Sequence, residues 1–297
     1  MNCFSAKVHM PDDYSMEDIR DDLNKELPDD IRVFGVTKAH QTFNSKKDSV
    51  LREYDYYMPS FLFSTKFPLN YTTEDITVPG PETENPLKKL KINVNKTDSL
   101  SQAYSYRMLS KTKKKIEALM KMYKGSHRFH NFTIQNKKIR SSMEDLNVRE
   151  FRVVNTVHVV DGIEYVRIAI TGRGFLFQQI LKMVGAVSFA MRNKLGVDYV
   201  AQTLSRKRMQ VPSAPSEGLV LNAMTYDWKM WKMWYPEPKV RPWEDRMDEL
   251  KEFRHSIVKE IGKLEKSNNT FSEWSSWTDH MKKSFLTPIE SNHPKYN

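Results

Sequence analysis

The chain has 297 residues, 39% hydrophobic and 11% aromatic, which is enough for a sizeable core. Its net charge of +10, from 47 Lys and Arg against 37 Asp and Glu, favours a polyanionic partner, with RNA or DNA first. Cys3 is the only cysteine, which excludes an internal disulfide and a cysteine-rich zinc site and fits a reducing compartment; no stretch could span a bilayer, and Asp12 and Asp13 precede any apolar run of a secretory signal.

Cys3 to Val8 alternates like a strand. Ser15 and the acidic turn Glu17-Asp18 predict a capped amphipathic helix, with Ile19, Leu23 and Leu27 on one side and Pro28 closing it. Ile31 to Val36 reads as a second strand, Phe43 to Arg52 as a polar lysine-bearing loop, and Tyr54 to Met58 as a third strand ending at Pro59. Residues 76–103, with Pro79-Gly80-Pro81, read as a linker or insertion. A basic cluster, Lys111 to Lys115, opens a helix whose apolar side is Ile116, Leu119, Met120 and Tyr123, ended by Gly125.

After a polar stretch, 134–147, two strands over Glu150 to Val160 and Glu164 to Ile170 flank Asp161-Gly162, a strong hairpin turn. Gly172 and Gly174 then allow a sharp turn into a helix from Phe175 to Met191. Only Gln178, Gln179, Lys182 and Ser188 are polar there, so this helix belongs inside a core. A second helix, Val197 to Leu204, leads to the basic run Arg206-Lys207-Arg208, and Leu219 to Tyr226 supplies a last strand. The tail, 228–297, holds all six tryptophans and a long amphipathic helix from Trp243, with Met247, Leu250, Phe253, Ile257 and Ile261 at helical spacing. The expected fold class is α+β, with helices against antiparallel sheet.

Gly172…Phe175-Leu176-Phe177-Gln178-Gln179-Ile180-Leu181-Lys182-Met183-Val184-Gly185 resembles the signature helix of the TruA/Pus1 family of pseudouridine synthases. Val211-Pro212-Ser213-Ala214-Pro215-Ser216-Glu217-Gly218-Leu219-Val220-Leu221 is similar to that family's pocket wall, and Tyr123 to Thr133 to another of its blocks. The eukaryotic Pus1 branch is the nearest match, with blocks in order from about residue 2 to about 280. The resemblance implies two antiparallel-sheet (RRM/ferredoxin-like) half-domains flanking a basic RNA cleft, helices on the outer faces, and a C-terminal helical extension. The expected divisions are an incomplete N-terminal half over 1–75, a linker over 76–103, a C-terminal half over 104–228 and a helical extension over 229–297.

The family turns uridine into pseudouridine: the base is detached, turned and rejoined through carbon. That needs a carboxylate near the sugar C1′ of a flipped nucleotide, and no cofactor or metal. The family's carboxylate is the aspartate of an Arg-Thr-Asp loop lying just before the strand matched by Cys3 to Val8, and this tripeptide occurs nowhere in the 297 residues. No catalytic residue is therefore assigned. Leu181 stands where the family has the arginine that pairs with the aspartate, and Gln178 where it has a histidine. An arginine buried without its aspartate would cost several kcal/mol, so an apolar replacement is consistent with a lost carboxylate.

Arg52-Glu53-Tyr54-Asp55-Tyr56 resembles the family's Arg-x-Tyr-x-Tyr strand, in which the first tyrosine, Tyr54 here, stacks on the target base. Lys46 and Arg52 suit phosphate contacts, and Lys111, Lys114, Arg206, Lys207 and Arg208 would extend a basic RNA track. His127 and His130 lack metal-ligand company and read as structural or RNA-facing. Three readings stand together: a tRNA uridine isomerase whose recorded start falls late, a catalytically inactive RNA-binding subunit or scaffold, and a chain whose N-terminal sheet is completed by a protein partner. The expected setting is intracellular, the nucleus ahead of the mitochondrion.

Overall fold

Ser15 opens the first helix, α1 (Met16–Glu26). Its hydroxyl accepts the Asp18 amide at 3.0 Å, and the Asp18 carboxylate accepts the Ser15 amide at 3.2 Å, so two donors left orphaned by a helix start are satisfied. The computed structural model describes residues 2–9, 14–65, 98–134, 146–227 and 243–289. After α1 come β1 (Ser49–Pro59), α2 (Asp98–Tyr104), α3 (Ser110–Lys121), β2 (Gly125–Ser126), β3 (Asn147–Val160), β4 (Ile163–Gly172), α4 (Gln179–Arg192) and α5 (Val197–Leu204). They are followed by β5 (Leu219–Tyr226), α6 (Met247–Asn268), α7 (Thr270–His280) and α8 (Lys282–Leu286). The expected linker lies outside the described residues over 76–97, and its end is α2. Most of the polar stretch 134–147 lies outside them too, as do Trp228, Trp231 and Trp234.

The fold is α+β, as expected, but its sheet corrects the two-sheet expectation. Among the described residues the strands form one five-stranded sheet in the order β2-β3-β4-β1-β5, and every pairing is antiparallel. β1, expected in a separate N-terminal half, lies between β4 and β5, with Tyr54 opposite Ile170 on one side and Leu221 on the other. From Asp55 to Pro59 the strand is buried throughout, on both faces. A strand so enclosed needs a neighbour along each edge to satisfy its peptide groups. No trough between two sheets therefore exists among these residues. Asp161 and Gly162, with φ of 49° and 80°, make the left-handed turn that joins β3 to β4.

Two expected strands are absent. Cys3 to Val8 has no ladder partner, and Phe4 and Val8 are 77% and 67% exposed. Alternation alone does not make a strand where no edge is offered to it. In Ile31 to Val36 a side chain takes the part of a neighbouring strand. The Asn24 carboxamide donates to the Val33 carbonyl and accepts the Val33 amide, both at 2.8 Å. Phe34 then packs edge-on against Phe253 of α6, ring centres 5.6 Å apart.

Helices cover both faces of the sheet. α3, α4 and α5 pack together, and Tyr123, just after α3, meets Phe151 of β3 edge-on on the face that carries Tyr56. α4 is buried from Gln179 to Ala190, except that Leu181 and Lys182 are partly exposed. α6 lies on the opposite face, with Gly262 against Val160 and Tyr165. α7 docks on α4 through the Arg192–Asp279 ion pair.

Candidate functional site

Alternation along β1 sorts its side chains. Asp55 and Tyr57 face α6, while Tyr54, Tyr56 and Met58 face α4. Tyr56 is fully buried and its hydroxyl donates to the Pro215 carbonyl at 2.7 Å. Tyr54, nearer the strand's open end, is only half-buried, and Phe175 meets its ring edge-on at 5.5 Å. Phe175 lies over Gly172, where a Cβ would come within 2.8 Å of the ring and 2.9 Å of the Asn147 carbonyl. Burial raises the Tyr54 phenol above its usual pKa and Arg52 partly opposes this, so the ring stays neutral, with part of its surface open to a base.

Arg52 anchors the surroundings of this ring. It donates to the Arg173 carbonyl at 2.9 Å and the Lys46 carbonyl at 2.8 Å, joining the β4–α4 turn to the loop before β1. Its guanidinium is thus committed to two carbonyls, whereas Lys46 and Arg173 point into solvent. The helix expected from Phe175 starts four residues later. Gln178 takes the left-handed conformation, φ 64°, and the Gln179 side chain accepts the Leu176 amide at 2.8 Å.

The structure brings together the two segments expected to be the signature helix and the pocket wall. The Leu181 carbonyl accepts the Ala214 amide at 3.0 Å. Gly185 lies against the same loop, where a Cβ would run into the Pro212 carbonyl. Trp274 of α7 donates to the Ser213 carbonyl at 2.7 Å, so the C-terminal helices lock the wall from behind. The Leu181 side chain is half-buried against the core that also holds Tyr54, Phe175 and Leu219. Asp55, the carboxylate next to Tyr54 in sequence, points to the other face and pairs with Arg167 at 3.0 Å.

Lys182 was not singled out by the sequence. Its ammonium donates to the Asn131 and Thr133 carbonyls at 3.3 and 3.1 Å, and burial pulls its pKa down to about 8. Asn131 in turn holds the turn after α5: its amide donates to the Thr203 and Lys207 carbonyls, each at 2.9 Å, and its oxygen accepts the Met209 amide at 3.0 Å. The signal was present: one lysine in an apolar helix needs buried acceptors. Arg206, Lys207 and Arg208, exposed beyond α5, sit on an element adjoining α3, whose Lys111 and Lys114 are also exposed. The His127 ring donates to the Lys124 carbonyl at 2.9 Å, closing a turn. Among the described residues no group of three or more His, Cys, Asp or Glu could hold a metal ion, and no helix is long and apolar enough to cross a membrane.

A family model described as tRNA pseudouridine synthase matches residues 119–227, the stretch that carries α4, its turn and the pocket wall. Similar proteins include tRNA pseudouridine synthase 1 of Yarrowia lipolytica, 25% identical over 94% of this chain and 61% of that protein. Pseudouridylate synthase 1 homologs of mouse and human are 28% and 27% identical, each over 71% of this chain and 42% of theirs. By these matches the chain is similar to the TruA/Pus1 family of pseudouridine synthases. It spans about half the length of these relatives. Leu181, expected at the family's arginine position, is a half-buried aliphatic residue, and Gln178, expected at its histidine position, makes the left-handed start of α4.

Proposed function

We propose that this chain is the RNA-binding body of a pseudouridine synthase and receives a flipped uridine of tRNA against Tyr54. The observation that carries the reading is a half-buried neutral tyrosine, braced by Phe175 beside α4, with exposed Lys46 and Arg173 tied through their carbonyls to Arg52 on the same strand. A stacked base adds roughly 1–3 kcal/mol, and the cations suit its flanking phosphates. Isomerisation then requires a carboxylate at the sugar, and the Arg-Thr-Asp that would bring it is not in residues 1–297. On this reading a longer form carrying that loop isomerises uridine.

Leu181 favours a second reading, a synthase-like RNA-binding subunit or scaffold without chemistry. A carboxylate ionised in a half-buried site needs a paired cation, and leucine offers none. One pair of measurements separates the two: filter binding to tRNA, and tritium release from 5-tritiated uridine in tRNA. Binding without release is expected for the 297-residue chain under both readings. Release restored by a form that adds Arg-Thr-Asp upstream supports the isomerase; none from that form, at unchanged affinity, supports the scaffold. Absence of tRNA binding would remove both. Tyr54→Ala is expected to weaken tRNA binding about 5- to 100-fold, while Tyr54→Phe keeps it.

A further inference from the structure

We propose that Phe177 is a second aromatic platform, on which a base flanking the one at Tyr54 stacks; this rests on the RNA-binding reading above. Phe177 is 70% exposed, while its neighbours Phe175 and Leu176 are half-buried. The turn that carries it is fixed. Arg52 holds its first carbonyl, at Arg173. The Leu176 amide donates to the Gln179 side chain at 2.8 Å, and the Gln179 amide donates to the Leu176 carbonyl at 3.0 Å. Gln178 closes the loop at φ 64°, a conformation that a side-chain-bearing residue adopts at some strain. The phenyl group is therefore held in water by its backbone.

The surroundings of Phe177 select its occupant. An apolar protein face would need an exposed apolar rim, but besides Phe177 the exposed residue of this turn is Arg173, and the loop tied to it exposes Lys46. A single-stranded nucleic acid matches both parts: its bases stack on aromatic rings and its phosphates meet the cations. Tyr54 lies just inside the same turn, one ring contact away through Phe175. The two open rings thus stand within one structural unit, since half-buried Phe175 touches Tyr54 and lies two residues before Phe177. That suits two nucleotides of an unpaired strand, one drawn in against β1 and one resting outside.

The test uses the full 297-residue chain, with tRNA and a labelled single-stranded oligouridylate followed by fluorescence anisotropy. Phe177→Ala is expected to weaken both about 5- to 100-fold, and Phe177→Trp to retain binding. The dependence of affinity on salt should be unchanged in both, because no phosphate contact is lost. Oligouridylate should also quench the indole added in Phe177→Trp. If the parent binds and Phe177→Ala binds equally well, the platform is refuted and the RNA-binding reading stands. If the parent binds neither RNA, both fall. Loss of self-association in Phe177→Ala at unchanged RNA affinity would make Phe177 a protein contact and overturn the inference.

Discussion

Lys182 is the residue whose environment departs furthest from its sequence appearance. Its partners are two neutral carbonyls, so nothing offsets the lost hydration of the ammonium with an opposite charge. Its folded-state pKa of about 8 lies below the usual lysine value, so the unfolded chain binds this proton more tightly. Stability should therefore rise as pH increases from about 8 to about 10.5, by about 2–3 kcal/mol. Urea unfolding of the parent and of Lys182→Met across that range checks this. The parent should gain relative to the variant, and a constant difference would show that Lys182 carries no buried charge. His158 gives an opposite end to the same argument. It packs on Tyr57, and burial, then Arg167, lower its pKa. Its native form is neutral, so stability should fall as pH drops below about 6.5, and His158→Gln should blunt that fall. Tyr54 was legible from the Arg-x-Tyr-x-Tyr spacing, but its brace, Phe175, was not, because their contact crosses the sheet between distant segments.

At the scale of elements, α4 and the loop after α5 act as one part. Gly185 is the contact point. In an exposed helix interior, Gly→Ala stabilises by about 1 kcal/mol. Here the new methyl group would strike the Pro212 carbonyl and lie 3.0 Å from the Ala214 nitrogen, both backbone atoms that cannot swing aside. Gly185→Ala should instead destabilise by about 1–3 kcal/mol, read as a lower Tm, and an unchanged or raised Tm would mean the loop yields. Helix interiors were read well from periodicity, since burying one face dictates the pattern. Helix starts were read less well. α4 begins at Gln179 because the Gln179 side chain and left-handed Gln178 close the turn, a local hydrogen-bond choice that apolar periodicity does not encode. The Asn24 clamp on Val33 shows the same limit, since a side-chain amide replaced the strand partner that alternation implied.

For the whole molecule, β1 in mid-sheet ties the N-terminal and C-terminal parts into one core. Asp55 pairs with Arg167 across two strands beneath α6, so Asp55→Asn should cost roughly 3 kcal/mol by leaving the guanidinium unpaired. The described body should also unfold in one step, with far-ultraviolet dichroism and tryptophan fluorescence changing together; two separated transitions would restore the two-half picture. The sequence by itself determined the resemblance to the pseudouridine synthases, the α+β class, the hairpin and the buried helix. Those features are local patterns or ordered motifs, visible in one dimension. Only the tertiary structure decided that β1 joins β4 to β5, that Arg52 is an anchor, and that Phe177 stands in water. Each depends on which distant segment fills the space beside a residue, and that is settled by competition for hydrogen bonds and buried area across the whole chain.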